Sequence, residues 1–202
     1  MLVNLNRHML ERLDDWALAS ACYEPLILAY KAASAQGGDG RQLFSEMTAA
    51  QQALFIFRVY HDHVRHSAEE LYWWSAYFMA ESGRWAVLIG SLRQANDRHL
   101  LPLLQEIDIL LTERQHPRPL DQFEVARHDL EADEELGSLF GLLYGRYEAA
   151  ASCTIARIAG QIRLHPEQYG LTSDGDDSCS CQEGNTPLSG RGSAAGDSPI
   201  FL

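Results

Sequence analysis

Apolar residues recur along most of the chain at spacings of three and four, the pattern of helices that bury one face. Residues branched at Cβ are scarce, and no segment alternates polar and apolar residues for long. A long helix is predicted from about Asp133 to Leu164, where His165 and Pro166 end it. The sequence therefore predicts an all-α, single-domain helical bundle of about six or seven helices, the last one long and central.

Short motifs predict where helices begin. Thr48-Ala-Ala-Gln51 and Asp121-Gln-Phe-Glu124 are capping boxes, so a helix should follow each of them. The first helix is expected from about Asn4 to Ala19, and Pro25 suits the first turn of a second helix. Ser67-Ala-Glu-Glu70 has the same capping pattern. It either lies inside a helix or breaks that helix and starts a new one, and the sequence leaves both readings open.

The composition changes near Leu171. From there the chain is rich in Ser, Gly, Asp and Pro and has few apolar residues. Such a stretch cannot bury enough surface to offset the entropy lost on ordering. The sequence predicts a helical domain at 1–170 and a disordered, dispensable Gly/Ser/Asp-rich tail at 171–202.

Charge narrows the classes of partner. The 202 residues carry a formal net charge of −12, which argues against nonspecific binding to nucleic acid or to anionic membranes. No run approaches the roughly 18 apolar residues that a membrane-spanning helix needs, and the first residues do not resemble a signal peptide. We expect a cytoplasmic protein whose partner is another protein. The sequence does not indicate its oligomeric state.

The four cysteines favour no disulfide framework and no zinc site. Cys22 and Cys153 lie among alanines and aliphatic residues and are predicted to be buried thiols. Cys179 and Cys181 form an isolated Cys-Ser-Cys, with no second pair of ligands nearby to complete a zinc site.

A histidine cluster carries the most specific chemistry. His61, His63 and His66 are followed by Glu69 and Glu70. In an unbroken helix His63, His66 and Glu70 share one stripe, at i, i+3 and i+7. Imidazole and carboxylate are ligands of borderline divalent metals such as Zn²⁺, so these three residues are the predicted metal ligands.

The metal site would need a fourth ligand from another helix, and the sequence does not choose among the candidates, which are His99, Glu106, His128 and Glu148. A helix break at Ser67 would remove the common stripe. The cluster would then be a solvated polar strip, in which Arg65 and the glutamates act as ion-pair partners.

Five aromatic residues lie within Leu71–Met79 and point in nearly every direction around a helix. One interpretation is a helix buried on most sides. The other is that Trp73 and Tyr77 form a face for a partner or a ligand, because Trp and Tyr are favoured anchors in interfaces and pockets.

Two further patterns have ordinary structural explanations. Small residues recur every four positions in the last helix, which predicts a neighbouring helix packed closely against it; they are Gly137, Gly141, Gly145, Ala149 and Cys153. Acidic residues concentrate between Asp121 and Glu135, where they suit helix N-termini or form a surface for a basic partner.

Two classes of function remain open. The first is a non-enzymatic interaction protein that uses the aromatic helix face or the acidic surface. The alternative is a protein that binds a metal or a small ligand at the His61–His66 cluster, including a metal-dependent enzyme. No Walker loop, dinucleotide-binding motif or nucleophile elbow is present, so the sequence does not decide whether the chain is an enzyme.

Overall fold

The computed structural model describes residues 7–38, 40–81, 83–116 and 119–171. Every regular element in these ranges is helical, which confirms the predicted all-α fold. Two 3-10 turns, Leu120–Gln122 and Pro166–Tyr169, accompany nine α-helices. The α-helices are α1 (Arg7–Arg12), α2 (Asp15–Ala35), α3 (Gly40–Glu46), α4 (Ala49–Val64), α5 (Ala68–Ala80), α6 (Arg84–Gln94), α7 (Leu100–Glu113), α8 (Asp129–Ala132) and α9 (Glu134–Leu164). Three of the nine have seven residues or fewer, so six longer helices make up the predicted bundle.

The long last helix, α9, is central as predicted. It packs against α2, α5, α7 and α8, while α4 packs against α2, α5 and α6. Large aromatic side chains fill the space between these helices. Those fully buried are Tyr60, Tyr72, Tyr147, Phe57, Phe78 and Phe140. Burial of these rings helps to stabilise the bundle, since apolar burial contributes about 25 cal/mol per Å².

Side-chain caps explain where α4, α5 and α9 begin. Thr48 forms the predicted capping box with Gln51 at the start of α4. The Ser67 hydroxyl accepts a hydrogen bond from the Glu70 amide at the start of α5, so the chain does break between α4 and α5. Asp133 caps α9 in the same way. Each cap satisfies an amide that would otherwise lack a partner.

Three boundary predictions were wrong. The helix expected over Asn4–Ala19 breaks after Arg12, because Asp14 accepts a hydrogen bond from the Ala17 amide and starts α2 there. Pro25 does not begin a helix; it lies inside α2, where buried residues on both sides of it stabilise the helix despite the lost hydrogen bond. Asp121 lies inside a 3-10 turn that begins at Leu120, and the residues at 123–126 that follow form no helix.

The small-residue stripe of α9 was also misinterpreted. Only at Gly137 does another segment come close: a Cβ there would lie 2.5 Å from the Leu130 carbonyl oxygen. At Gly141 and Gly145 no atom of another described segment would lie within 4 Å of a Cβ, and both glycines are exposed. Cys153, predicted to be buried, is exposed as well, whereas Cys22 is buried as expected. Most of the stripe therefore faces away from the neighbouring helices.

Leu171, the first residue of the predicted tail, is only 3% exposed and packs in the core. The rest of that tail, 172–202, lies outside the described residues, and with it lie Cys179 and Cys181. Among the helices that are described, none combines the length and apolarity needed to cross a membrane.

Candidate functional site

A polar concavity lies between α2, α4 and α9. It has a volume of about 540 Å³, within the range of small-molecule sites. We call it the polar cleft. Helix α2 contributes Trp16 and Ser20, α4 and its C-cap contribute Arg58, His61, Asp62 and Arg65, and α9 contributes Glu148 and Ser152.

Helix α4 builds the floor of the polar cleft through its spacing. Arg58, His61, Asp62 and Arg65 lie at i, i+3, i+4 and i+7, which places them on one side of the helix. The rest of α4 is mostly buried and apolar. This polar stripe is therefore an exception within a core helix, and it is held rigidly by the packing of the other faces.

His61 is the most buried member of the stripe, with 9% of its surface exposed. Its ring lies beside those of Trp16, Phe57 and Tyr147, at centroid distances of 4.6, 5.8 and 5.9 Å. Burial is the largest cause that lowers the pKa of His61 to about 4, and the neighbouring Arg58, Arg65 and His66 contribute to the same shift. The imidazole is therefore neutral at pH 7.

The Tyr147 hydroxyl fixes the tautomer of His61. Tyr147 is fully buried, and His61 Nδ1, at 3.0 Å, is the hydrogen-bond partner of its hydroxyl within the described chain. Burial raises the pKa of Tyr147 well above its usual value, so the phenol keeps its proton. A buried O–H without an acceptor is costly, so it donates to Nδ1. The imidazole proton is then on Nε2, which is left as a donor for the polar cleft.

Arg58 provides a second donor group at the inner end of the polar cleft. Its guanidinium lies over the rings of Trp16 and Tyr23, at 5.4 and 5.2 Å from their centroids. It donates to the Ser20 hydroxyl at 3.2 Å and contacts Asp62 Oδ1 at 3.3 Å. Arg58 Nε is buried without a hydrogen-bond partner in the described structure. The positive charge of Arg58 is thus only partly compensated.

Two charged side chains at the rim have no hydrogen bond or ion pair to the described residues. They are Arg65, at the end of α4, and Glu148, on α9. The two helices are fixed in register there, because the Tyr144 hydroxyl donates to the Arg65 carbonyl oxygen at 2.8 Å. Rigid backbone with unpaired charges is what a binding site for a charged molecule requires.

The three predicted metal ligands do not share a helix. His63 lies in the last turn of α4 and stacks on Trp74 with ring centroids 3.7 Å apart. His66 is exposed in the link between α4 and α5, and Glu70 lies in α5. Both carboxylate oxygens of Glu70 accept hydrogen bonds from Arg127, at 2.5 and 2.8 Å, and these lower the pKa of Glu70. Among the described residues, no three His, Cys, Asp or Glu side chains are grouped as metal ligands.

Metal binding at His63, His66 and Glu70 therefore stays a prediction that the metal content of untagged protein would test. The predicted partners from other helices are dispersed. His99 and His128 are exposed, and Glu106 is paired with Arg146 at 2.6 Å. Glu148 alone among them lines the polar cleft.

The predicted aromatic face exists, but another part of the chain covers it. Trp73 and Tyr77 stack with centroids 5.2 Å apart and an interplanar angle of 9°. Phe123 packs edge-on against both rings, and Trp73 Nε1 donates to the Val125 carbonyl oxygen at 3.0 Å. Arg127 lies over the Trp73 ring at 4.5 Å. We call residues 120–127 the covering segment. The face is neither an open surface nor a pocket beside His63, and its use by a partner stays a prediction.

The acidic run between Asp121 and Glu135 is used largely for internal contacts. Asp129 accepts hydrogen bonds from the Tyr72 hydroxyl and the Ala126 amide. Asp133 caps α9 and forms an ion pair with Arg114, which also binds Glu135. These contacts support the structural interpretation of the run.

Sequence reasoning passed over Arg58, Asp62 and Tyr147. A signal for the first two was available, because charged residues at i and i+4 interrupt an otherwise apolar helix. Nothing in the sequence could have shown that Tyr147, 86 positions after His61, holds its ring.

Comparisons with known proteins indicate neither a family nor a function. No family model matches the chain, and searches of curated proteins and of solved structures find no match.

Proposed function

We propose that the protein binds a small ligand carrying an oxyanion, a carboxylate or a phosphate, in the polar cleft. The observation that carries this proposal is the Tyr147–His61 hydrogen bond, which leaves His61 Nε2–H as a fixed donor beside two arginines. Donors held in place by packing suit an oxyanion, since charge-assisted hydrogen bonds are the stronger ones. We also propose that the protein is cytoplasmic, as the sequence leads us to expect.

Electrostatics support the same class of ligand. Burial is the largest cause of the lowered pKa of His61, and the neighbouring Arg58 and Arg65 act in the same direction. The chain as a whole carries a formal net charge of −12. The polar cleft therefore offers an anion two arginines close together on an otherwise acidic protein, and this contrast favours one location over the rest of the surface.

The test is an NMR titration of the full chain with acetate, inorganic phosphate and sulfate at constant ionic strength, with chloride as the reference ion. The side-chain signals of Arg58 and His61 are followed. We expect saturable shifts, and the Arg65→Gln variant should weaken binding about five- to tenfold through loss of one charged donor. Arg65 has an exposed side chain without a described partner, so this variant should fold normally.

Arg93→Gln is the matched control, because Arg93 is also an exposed arginine but lies on α6, away from the polar cleft. Its titration should match that of the parent protein. Shifts that do not saturate, or equal binding by the Arg65→Gln and parent proteins, would contradict the proposal.

A further inference from the structure

The polar cleft contains carboxylates as well as cations. Asp62 lies beside His61 on α4, and Glu148 follows Tyr147 on α9. Two arginines and two carboxylates line the same space, so their formal charges cancel. An anion alone would satisfy the arginines but would leave Glu148 and part of Asp62 without a counter-charge.

Carboxylates line the polar cleft on both helices, because Asp62 lies within the stripe of α4 and Glu148 lies on α9. The donors, Arg58, His61 and Arg65, follow one side of α4. Glu148 approaches from α9, one residue after Tyr147, whose hydroxyl is bonded to His61. Asp62 contacts Arg58 through one oxygen only, at 3.3 Å. A ligand in contact with the donors therefore shares the polar cleft with one carboxylate beside Arg58 and a second one on α9.

We infer that the ligand is a zwitterion of the amino-acid class, with a carboxylate and an ammonium group on one small molecule. This inference rests on the proposed function and specifies its ligand. The carboxylate meets His61 Nε2–H and the arginines, and the ammonium meets Glu148 and the free oxygen of Asp62. A cleft of about 540 Å³ accommodates a molecule of this size.

Glycine and acetate are a matched pair of probes, because they differ by one ammonium group. Each is titrated into the full-length protein at pH 7.5, and methylammonium serves as the cation alone. We expect glycine to bind at least about tenfold more tightly than acetate, the gain of one charge-assisted hydrogen bond. Methylammonium alone should bind more weakly than either.

The Glu148→Gln variant should remove the advantage of glycine while leaving acetate binding unchanged or slightly stronger. Glu148 is exposed and has no hydrogen bond or ion pair in the described structure, so the substitution should not affect folding. Glu131→Gln is the control, since Glu131 is an exposed glutamate on α8 that does not line the polar cleft. It should keep the glycine preference.

The outcomes separate the two proposals. Equal affinity for acetate and glycine, or a glycine preference that survives Glu148→Gln, overturns the zwitterion inference and leaves anion binding standing. Absence of binding by acetate, phosphate and glycine overturns both. Binding of methylammonium without acetate also overturns both.

Discussion

The Tyr147 hydroxyl and His61 Nδ1 lie 3.0 Å apart and join α9 to α4 inside the aromatic core. A phenol that keeps its proton and an imidazole that stays neutral satisfy each other there, and the same contact directs the imidazole proton to the polar cleft. The pair thus links the stability of the bundle to the chemistry of its candidate site.

A double-mutant cycle tests this pair. His61→Phe keeps a ring between Trp16 and Phe57 but leaves the buried Tyr147 hydroxyl without an acceptor, which should cost about 1–3 kcal/mol. Tyr147→Phe should cost about 1 kcal/mol, because His61 loses its donor. The double variant should be more stable than the sum of the two costs predicts, by about 1 kcal/mol. Urea unfolding measures all four proteins, and strictly additive costs would refute the pairing.

The stability of the protein should depend on pH through His61. The native imidazole stays neutral down to its pKa of about 4, whereas in the unfolded chain it protonates near 6.5. Between these values the unfolded state binds more protons, so stability falls as the pH falls from 6.5 towards 4. The loss should be roughly 2 kcal/mol.

The His61→Phe/Tyr147→Phe variant isolates this contribution, since every other titrating group remains. Its unfolding free energy should fall less than that of the parent protein between pH 6.5 and pH 4.5. A parent and a variant with the same pH profile would show that another group, such as His63, causes the loss.

The Thr48 capping box made the start of α4 predictable, because a cap depends on residues three positions apart. The same pattern at Ser67 left a break open, and the pattern at Asp121 started no α-helix. The prediction that Pro25 begins a helix was wrong, because burial of α2 residues on both sides of Pro25 outweighs the local preference of proline for a first helical turn. Tertiary contacts could not be predicted from local sequence patterns, because they join residues that are far apart in the chain. The covering segment over Trp73 and the Tyr147 hydroxyl on His61 both join residues more than 50 positions apart.

The covering segment should open more readily when Phe123 is removed. Phe123 packs edge-on against Trp73 and Tyr77, with centroid distances of 5.6 and 5.7 Å. In the Phe123→Ala variant, loss of about 1–2 kcal/mol of contact should accelerate tryptic cleavage after Arg127 roughly five- to thirtyfold. Cleavage after Arg146, in the middle of α9, should stay slow.

Leu120→Ala is the control for that experiment, because Leu120 belongs to the same segment but is 44% exposed. It should change cleavage after Arg127 much less. Equal acceleration by both variants would mean that the segment is held by its backbone and by Arg127 rather than by the Phe123 ring.

Three glycines of α9 should respond to alanine in opposite ways. A Cβ at Gly137 would lie 2.5 Å from the Leu130 carbonyl oxygen, so Gly137→Ala must displace the backbone of α8 and should destabilise the protein by about 1–3 kcal/mol. Gly141 and Gly145 are exposed helical positions with nothing within 4 Å of a Cβ. Alanine at each of these two positions should stabilise the protein by about 0.5–1 kcal/mol, because alanine has the higher helix propensity.

Urea midpoints at an unchanged m-value measure these differences in stability, and the Gly141→Ala and Gly145→Ala variants serve as controls for Gly137→Ala. If Gly137→Ala were as stable as Gly141→Ala, α8 would not be packed closely against α9. If all three substitutions destabilised the protein, the exposed stripe would have to be covered by another molecule in solution.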